Sequence, residues 1–98
     1  ILKTPQEIRQ DVAQRAKERR LRLNLSQEGV ARRAGISAGT IKRFEKTGHI
    51  SIDSLLKIAL VLDATKGFEN VFVQEWIAPE SINEIIKVPY HTKRGRIK

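Results

Sequence analysis

One set of residues in the middle of the chain combines cationic side chains with very small ones at helical spacing. Its members fall at relative positions 0, 1, 4, 5 and 8, which places them on one outward stripe of a helix: Ala38, Gly39, Lys42, Arg43 and Lys46. Lys42 and Arg43 are suited to donate hydrogen bonds to the acceptors of guanine in a major groove, and the methyl group of Ala38 to contact thymine. Lys46 is suited to neutralise a phosphate. A glycine inside a helix costs about 1 kcal/mol, so Gly39 indicates that close approach to a partner matters here.

The other residue types that support chemistry are scarce or badly spaced. His49 and His91 are far apart in the chain, and no cysteine or spaced pair of carboxylates accompanies them. The chain has no cysteine at all, which excludes thiolate catalysis, disulfides and cysteine-based zinc sites. No glycine-rich phosphate loop follows a strand. We therefore predict no catalytic site, no metal and no cofactor, and we do not expect an enzyme.

The positive charge of the chain is large and unevenly distributed. Nineteen Lys and Arg residues stand against eleven Asp and Glu, giving a net charge of +8 in 98 residues. Residues 1–49 carry a net charge of +7, residues 50–86 carry −4, and residues 87–98 carry +5. This segregation favours a polyanionic partner, with nucleic acid ahead of a membrane surface. Within the basic front, Arg19 and Arg22 are predicted to neutralise phosphates.

Length and composition bound the size and location of the protein. With 40% apolar and 31% charged residues in a 98-residue chain, it is expected to form one compact domain with short appendages. No window approaches the roughly 18 uncharged apolar residues of a membrane span, and no signal peptide is visible. We therefore expect a cytoplasmic protein without a membrane partner.

Capping residues and apolar spacing predict five helices. Thr4, Pro5 and Glu7 form a helix start, and the first helix runs to about residue 23. Its apolar stripe is predicted to contain Ile8, Val12, Ala16 and Leu23, with Arg20 on the same stripe. Serines at positions 26, 37 and 51 can cap three more helices. The fifth helix is predicted to begin near residue 67 and to end at Pro79, with one face made of Phe68, Val71, Phe72 and Trp76. Arg20 either reaches outward or meets a buried carboxylate.

The glycine between the second and third predicted helices indicates how the cationic stripe is presented. Two short helices joined by a glycine-containing turn form a helix-turn-helix, whose second helix is presented to the major groove. Counting from Gln27, Gly35 is ninth, where a left-handed turn disfavours a Cβ atom. Ala31 supplies the small residue that close helix crossing needs. The inner faces are predicted to contain Val30, Ala34, Ile36, Ile41 and Phe44.

The stretches SQEGVARRAGIS, GTIKRFEKTG and SIDSLLKIALVLDA resemble the phage-repressor and Cro-like helix-turn-helix regulators, also called the XRE type. The resemblance covers about residues 8–75. It implies an all-α, five-helix lambda-repressor-like DNA-binding domain. We assign residues 1–77 to this domain, with the helix-turn-helix at 26–47, and residues 78–98 to a C-terminal extension.

The resemblance also implies roles for single residues. Gln27 matches a glutamine that clamps a phosphate and braces a base-reading side chain, while Arg20 and Glu45 match a buried ion pair. The loop that grips the DNA backbone is matched by Lys46, Thr47 and His49. The complete set of predicted DNA contacts is Gln27, Ser37, Ala38, Gly39, Thr40, Lys42, Arg43, Lys46, Thr47 and His49.

The expected function is sequence-specific binding of double-stranded DNA by a homodimeric transcriptional repressor, bacterial or phage-encoded. The aromatic face of the fifth helix is core or dimer contact, and the predicted dimer residues are Phe68, Phe72, Trp76, Ile82, Ile85 and Ile86. The tail KRGRIK is either a solvated end or an arm that contacts DNA. Two alternatives remain open. One is an antitoxin that binds a toxin and represses its own operon, and the other is a non-enzymatic module that binds protein or RNA.

Overall fold

The structure, a computed structural model, describes residues 2–74, and every regular element in that range is a helix. The helices are α1 (Pro5–Arg22), α2 (Gln27–Ala34), α3 (Ala38–Thr47), α4 (Ile52–Val61) and α5 (Lys66–Glu69). This architecture confirms the predicted all-α fold. Within the described range, no helix has the length and apolarity to cross a membrane. The same range holds no cluster of three or more residues of the metal-binding types His, Asp and Glu.

Hydroxyl side chains fix where the first four helices begin. The side chains of Ser26, Ser37 and Ser51 each accept a hydrogen bond from the backbone N–H three residues later, at 2.9, 3.1 and 3.1 Å. Thr4 and Glu7 form a reciprocal capping box, in which each side chain accepts from the other residue's backbone N–H. Because a cap contributes about 1 kcal/mol, these short polar residues define the helix starts that the sequence predicts.

The hydrophobic core lies where α1, α2, α3 and α4 meet. Phe44 and Ile41 of α3 and Val30 of α2 are its largest fully buried side chains. The other buried apolar residues are Ala13, Ala31, Ile58, Ala59 and Leu62. Of the residues predicted for the inner faces, Ala34 and Ile36 are only half-buried. Because α3 is held by two large inward residues, the direction of its opposite face is fixed.

The helix α1 is attached to the ends of both α3 and α4. Gly48, just after α3, has φ +83°, and a Cβ atom built on it would lie 3.0 Å from the backbone carbon of Arg9. At the other end, Arg19 donates from Nε to the carbonyl of Leu62 at 2.6 Å and from a terminal nitrogen to that of Asp63 at 2.8 Å. This arginine therefore closes the end of α4. Two of the three guanidinium nitrogens of Arg19 thus donate within the domain, and the phosphate contact expected for this residue stays a prediction.

The fifth helix is much shorter than the sequence predicts. The helix α5 ends at Glu69, and turn hydrogen bonds follow, from Val71 N–H to the Phe68 carbonyl and from Val73 N–H to the Asn70 carbonyl. Phe72 has φ +69° and is fully exposed, so it does not share a helical face with Phe68. The predicted helix is therefore wrong over residues 70–74. Trp76 and Pro79 lie outside the described residues, as do Ile82, Ile85, Ile86 and His91.

The predicted apolar stripe of α1 is also only partly confirmed. Val12 and Ala16 pack against the core, but Ile8 and Leu23 are exposed, and Ala13 is the buried residue of this helix. The helix therefore contacts the apolar core mainly through its middle turns.

Candidate nucleic-acid interface

The turn between α2 and α3 is a helix C-terminal motif centred on Gly35. This residue has φ +73° and ψ +33°, which is the left-handed region. The N–H of Ile36 donates to the carbonyl of Ala31 at 3.0 Å, and the N–H of Gly35 donates to the carbonyl of Arg32 at 3.3 Å. These are the two hydrogen bonds of a Schellman motif. The motif ends α2 and turns the chain so that Ser37 can begin α3 almost at once.

The outer face of α3 exposes a narrow strip of cationic and small residues. Gly39, Lys42, Arg43 and Lys46 are all exposed, while Ile41 and Phe44 between them point into the core. We call these four exposed residues the α3 strip. Within residues 2–74, the ion pairs of the structure do not involve Arg43 or Lys46, which leaves both cations available to a partner.

Lys42 differs from its neighbours because it already has an anionic partner. Its Nζ lies 3.4 Å from a carboxylate oxygen of Glu28, and both side chains are exposed. Glu28 is in the first turn of α2, where its own backbone N–H bonds its carboxylate. This backbone bond, followed by Lys42, holds the pKa of Glu28 below its ordinary value. A negative charge of the protein itself therefore lies at a helix start where a phosphate would otherwise be favoured.

A buried ion pair holds the recognition elements together. Arg20 Nε lies 2.7 Å from Glu45 Oε2, and a second guanidinium nitrogen lies 3.0 Å from Oε1, with the two side chains only 8% and 7% exposed. The remaining terminal nitrogen of Arg20 donates to the Leu25 carbonyl at 2.9 Å. The carboxylate of Glu45 raises the pKa of Arg20 above its ordinary value. The pair thus links α1 to α3 with its polar groups satisfied.

Gln27 joins this network from the first position of α2. Its amide nitrogen donates to Glu45 Oε1 at 2.9 Å. Because a carboxylate only accepts hydrogen bonds, the amide group must turn its nitrogen towards Glu45. The three helices that contribute Arg20, Gln27 and Glu45 are therefore held in a fixed relation around one carboxylate. This bond fixes the rotamer of a residue that the sequence assigns to phosphate contact.

A polar cleft lies between α3 and the start of α4. Its volume is about 390 Å³, and it is lined by Thr40, Arg43, His49, Ile50, Ser51 and Ser54. The guanidinium of Arg43, the imidazole of His49 and the hydroxyls of three residues supply hydrogen-bond donors around it. The start of α4 adjoins the same cleft, since Ser51 and Ser54 line it. The cleft therefore extends the α3 strip towards the next helix.

Several predicted contact residues make bonds within the domain. The methyl group of Ala38 is half-buried and packs against the core, so the prediction that it belongs to the outward stripe is wrong. Thr47 donates from Oγ1 to the Arg43 carbonyl at 2.7 Å and accepts from the His49 N–H at 3.1 Å, which closes the end of α3. The hydroxyls of Ser37 and Thr40 are 2.8 Å apart. Ser37 and Thr47 thus define the two ends of the helix.

Two features of this surface are absent from the predicted set. The sequence indicates no role for Glu28, because its partner Lys42 is distant in the chain and only the fold brings the two side chains together. Ser54 lines the cleft although the sequence assigns no role to it. The hydroxyl pair at positions 51 and 54, at the beginning of a predicted helix next to a predicted contact loop, is the signal that could have revealed it.

Together the Schellman turn and the α3 strip define a DNA-binding domain of the helix-turn-helix class. The sequence profile of a family described as Helix-turn-helix matches residues 17–67, just over half of the chain. The chain therefore belongs to the XRE-type helix-turn-helix family of DNA-binding transcription regulators, which confirms the resemblance that its sequence indicates. Sequence-specific DNA binding and a role in transcription regulation follow from this membership. The comparison with curated proteins gave no match.

Proposed function

We propose that the protein inserts α3 into the major groove of an operator and represses transcription by occupying the promoter. The observation that carries this proposal is the α3 strip, four exposed residues on a helix whose opposite face is fixed in the core. A mechanism based on occupancy needs no chemistry beyond binding.

Within the strip, we assign base reading to Lys42 and Arg43 and close approach to Gly39. Arginine and lysine side chains donate to the O6 and N7 atoms of guanine. Gly39 lies in the first turn of α3, and nothing but the Ser37 hydroxyl lies within 4 Å of a Cβ atom built on it, at 3.9 Å. The position is therefore open towards a partner. Lys42 must exchange the carboxylate of Glu28 for DNA when it binds.

We assign backbone contacts to the two sides of the strip. On one side, the cleft between α3 and α4 offers Arg43 and His49 to one phosphate. On the other side, Gln27 is held by Glu45 at the start of α2, and its amide nitrogen keeps a second N–H for another phosphate. Lys46 extends from the strip between them. Such contacts fix the register of the protein without reading sequence.

We further propose that the repressor is a homodimer. Two recognition helices about 34 Å apart read successive major grooves on one side of the duplex, which gives a small domain useful affinity. Exposed apolar side chains on α4 and after α5 support such a contact, namely Leu60, Phe72 and Val73. Phe72→Ser should therefore weaken self-association in sedimentation experiments. The half-sites selected from random DNA should be related by a two-fold axis.

Selection of bound duplexes from a random pool tests the DNA-binding proposal directly, and a salt titration on the selected duplex tests its physical basis. About six phosphate contacts predict that log K falls with log salt with a slope near −5. A flat salt response, or enrichment of no sequence, would contradict the proposal and favour the protein-interaction alternative. The antitoxin alternative shares the DNA surface, and it predicts co-purification with a second protein from the native host.

A further inference from the structure

The side of the domain away from the α3 strip contains an open apolar groove between α1 and the α4–α5 region. Its volume is about 490 Å³. The floor is formed by Val12, Ala16, Leu55, Ala59, Phe68 and Val71. No residue of α2 or α3 lines it. A pocket of this size is in the range that binds a ligand or several large side chains, about 300 to 1,000 Å³.

The rim of the groove is basic. Arg15 and Arg22 of α1 line it, with Glu18 as the one acid among its lining residues. Both arginines are exposed, and neither is in the ion pairs formed within residues 2–74. An occupant that matches this surface would carry large apolar side chains together with carboxylates.

The sequence that follows the described chain has this composition. Residues 75–86, EWIAPESINEII, contain three glutamates and no lysine or arginine, in a chain with a net charge of +8. The large apolar residues of this stretch are Trp76, Ile77, Ile82, Ile85 and Ile86. The three isoleucines after Pro79 fall at helical spacing, which would place them on one face of a helix.

We propose that the groove is the docking site for residues 75–86 of the same chain. Val71 is part of the groove, so the proposed occupant begins only four residues after a residue that lines it. A short connection gives an effective concentration in the millimolar range, which favours the chain's own segment over that of a second molecule. Glu80 and Glu84 supply carboxylates whose charge complements the basic rim formed by Arg15 and Arg22. This contact is separate from DNA binding and does not depend on the repressor proposal.

Disulfide formation tests which segment occupies the groove, because the natural chain has no cysteine. Three double variants of the 98-residue chain combine Ala16→Cys in the groove with a second cysteine from Ile77→Cys, Ile82→Cys or Ile85→Cys. The proposal predicts that at least one pair forms an intrachain disulfide, detected by mass spectrometry and non-reducing electrophoresis. The matched controls replace Ala16→Cys with Lys46→Cys on the α3 strip, and these should remain reduced.

The outcomes of this experiment are distinct. An intrachain bond from position 16 and none from position 46 would support the proposal. Disulfide-linked dimers from position 16 would show that the segment comes from a second copy, and this would overturn the same-chain arrangement. Failure of all three groove pairs, or equal bonding from positions 16 and 46, would also overturn it.

The fluorescence of the single tryptophan tests the charge pairing independently. Trp76 is the only tryptophan of the chain, so its emission reports on residues 75–86 alone. The double substitution Arg15→Glu and Arg22→Glu should shift this emission to longer wavelength, while Arg32→Glu with Arg33→Glu on α2 should not, although the total charge change is the same. Adding Glu80→Arg and Glu84→Arg to the first variant should restore the original spectrum. An unchanged emission in the Arg15, Arg22 variant, with its helical circular dichroism intact, would contradict the proposal.

Discussion

The helix-turn-helix and the apolar groove between α1 and the α4–α5 region differ in whether contacts within the domain already engage their side chains. Around Glu45, two nitrogens of Arg20 and the amide nitrogen of Gln27 donate to the carboxylate at distances of 2.7 to 3.0 Å, so the side chains are held before any partner arrives. In the groove, the apolar floor has no covering residue from the described chain. The first arrangement suits a rigid polar ligand such as duplex DNA, because little freedom is lost on binding. The groove suits an apolar segment, because removing apolar surface from water gives a favourable free energy of binding.

Among single substitutions, the largest loss of stability should come from breaking the buried ion pair between Arg20 and Glu45. We expect Glu45→Ala to destabilise the domain by about 3 to 5 kcal/mol, because Arg20 would remain buried without its counter-charge. Thermal and chemical denaturation measure this loss. The exposed pair Lys57–Asp53 offers the control, since Asp53→Ala removes an ion pair in the water-exposed first turn of α4 and should change stability little. Equal melting temperatures for Glu45→Ala and the native protein would show that the ion pair does not stabilise the domain.

The two left-handed glycines should respond differently to the same substitution. Both Gly35 and Gly48 have positive φ, and an L-residue in this region costs about 1 to 2 kcal/mol. A Cβ atom at Gly35 meets nothing within 4 Å, whereas one at Gly48 would lie 3.0 Å from backbone and side-chain atoms of Arg9. Gly48→Ala should therefore destabilise more than Gly35→Ala in urea denaturation. The reverse order would mean that Arg9 and the end of α3 move apart at little cost in free energy.

Substitutions in the α3 strip should affect binding without affecting folding. We expect Arg43→Ala or Lys42→Ala to cost about 1 to 3 kcal/mol on the selected operator and little on random DNA, because base contacts carry sequence information. Titrations of both duplexes at the same salt concentration measure the difference. Arg33→Ala, an exposed arginine of α2 outside the strip, provides the control. Losses of equal size on both duplexes would show that the strip contacts phosphates only.

The smallest expected effect is a gain. Glu28→Gln removes a negative charge from the start of α2 and releases Lys42, so DNA affinity should rise modestly, and more at low salt than at high salt. NMR titration of the native carboxyl should give a pKa below the ordinary glutamate value, and Lys42→Ala should raise that pKa part of the way. A weaker complex for Glu28→Gln would instead indicate that this carboxylate accepts a hydrogen bond from the DNA.

Features fixed by local chemistry could be predicted from the sequence. The serine caps, the turn at Gly35 and the inward Ile41 and Phe44 all depend on residues close together in the chain, and all are present in the structure. Features that depend on distant partners were harder to predict. Arg19 donates to the carbonyls at the end of α4, and no local pattern in the sequence indicates these bonds. The spacing around Phe72 indicates a face but does not reveal that the helix ends earlier.

In the candidate site too, features set by nearby residues could be predicted and features set by distant partners could not. The exposed cations of α3 follow from helical periodicity, but the half-buried position of Ala38 depends on how closely α3 approaches its neighbours. The Lys42–Glu28 pair joins residues 14 positions apart, and no local pattern points to it. The resemblance supplied the pairing of Arg20 with Glu45, which spacing alone left open.

The anchoring of α3 has a consequence for how its specificity could change. The contacts that hold this helix in the domain are made by Ile41, Phe44 and Glu45. These residues alternate with the exposed positions 39, 42, 43 and 46. New side chains at those four positions would therefore leave the scaffold intact. If the α3 strip reads the operator as proposed, variants of this chain with new residues at these positions should bind different target sequences while retaining the same folded domain.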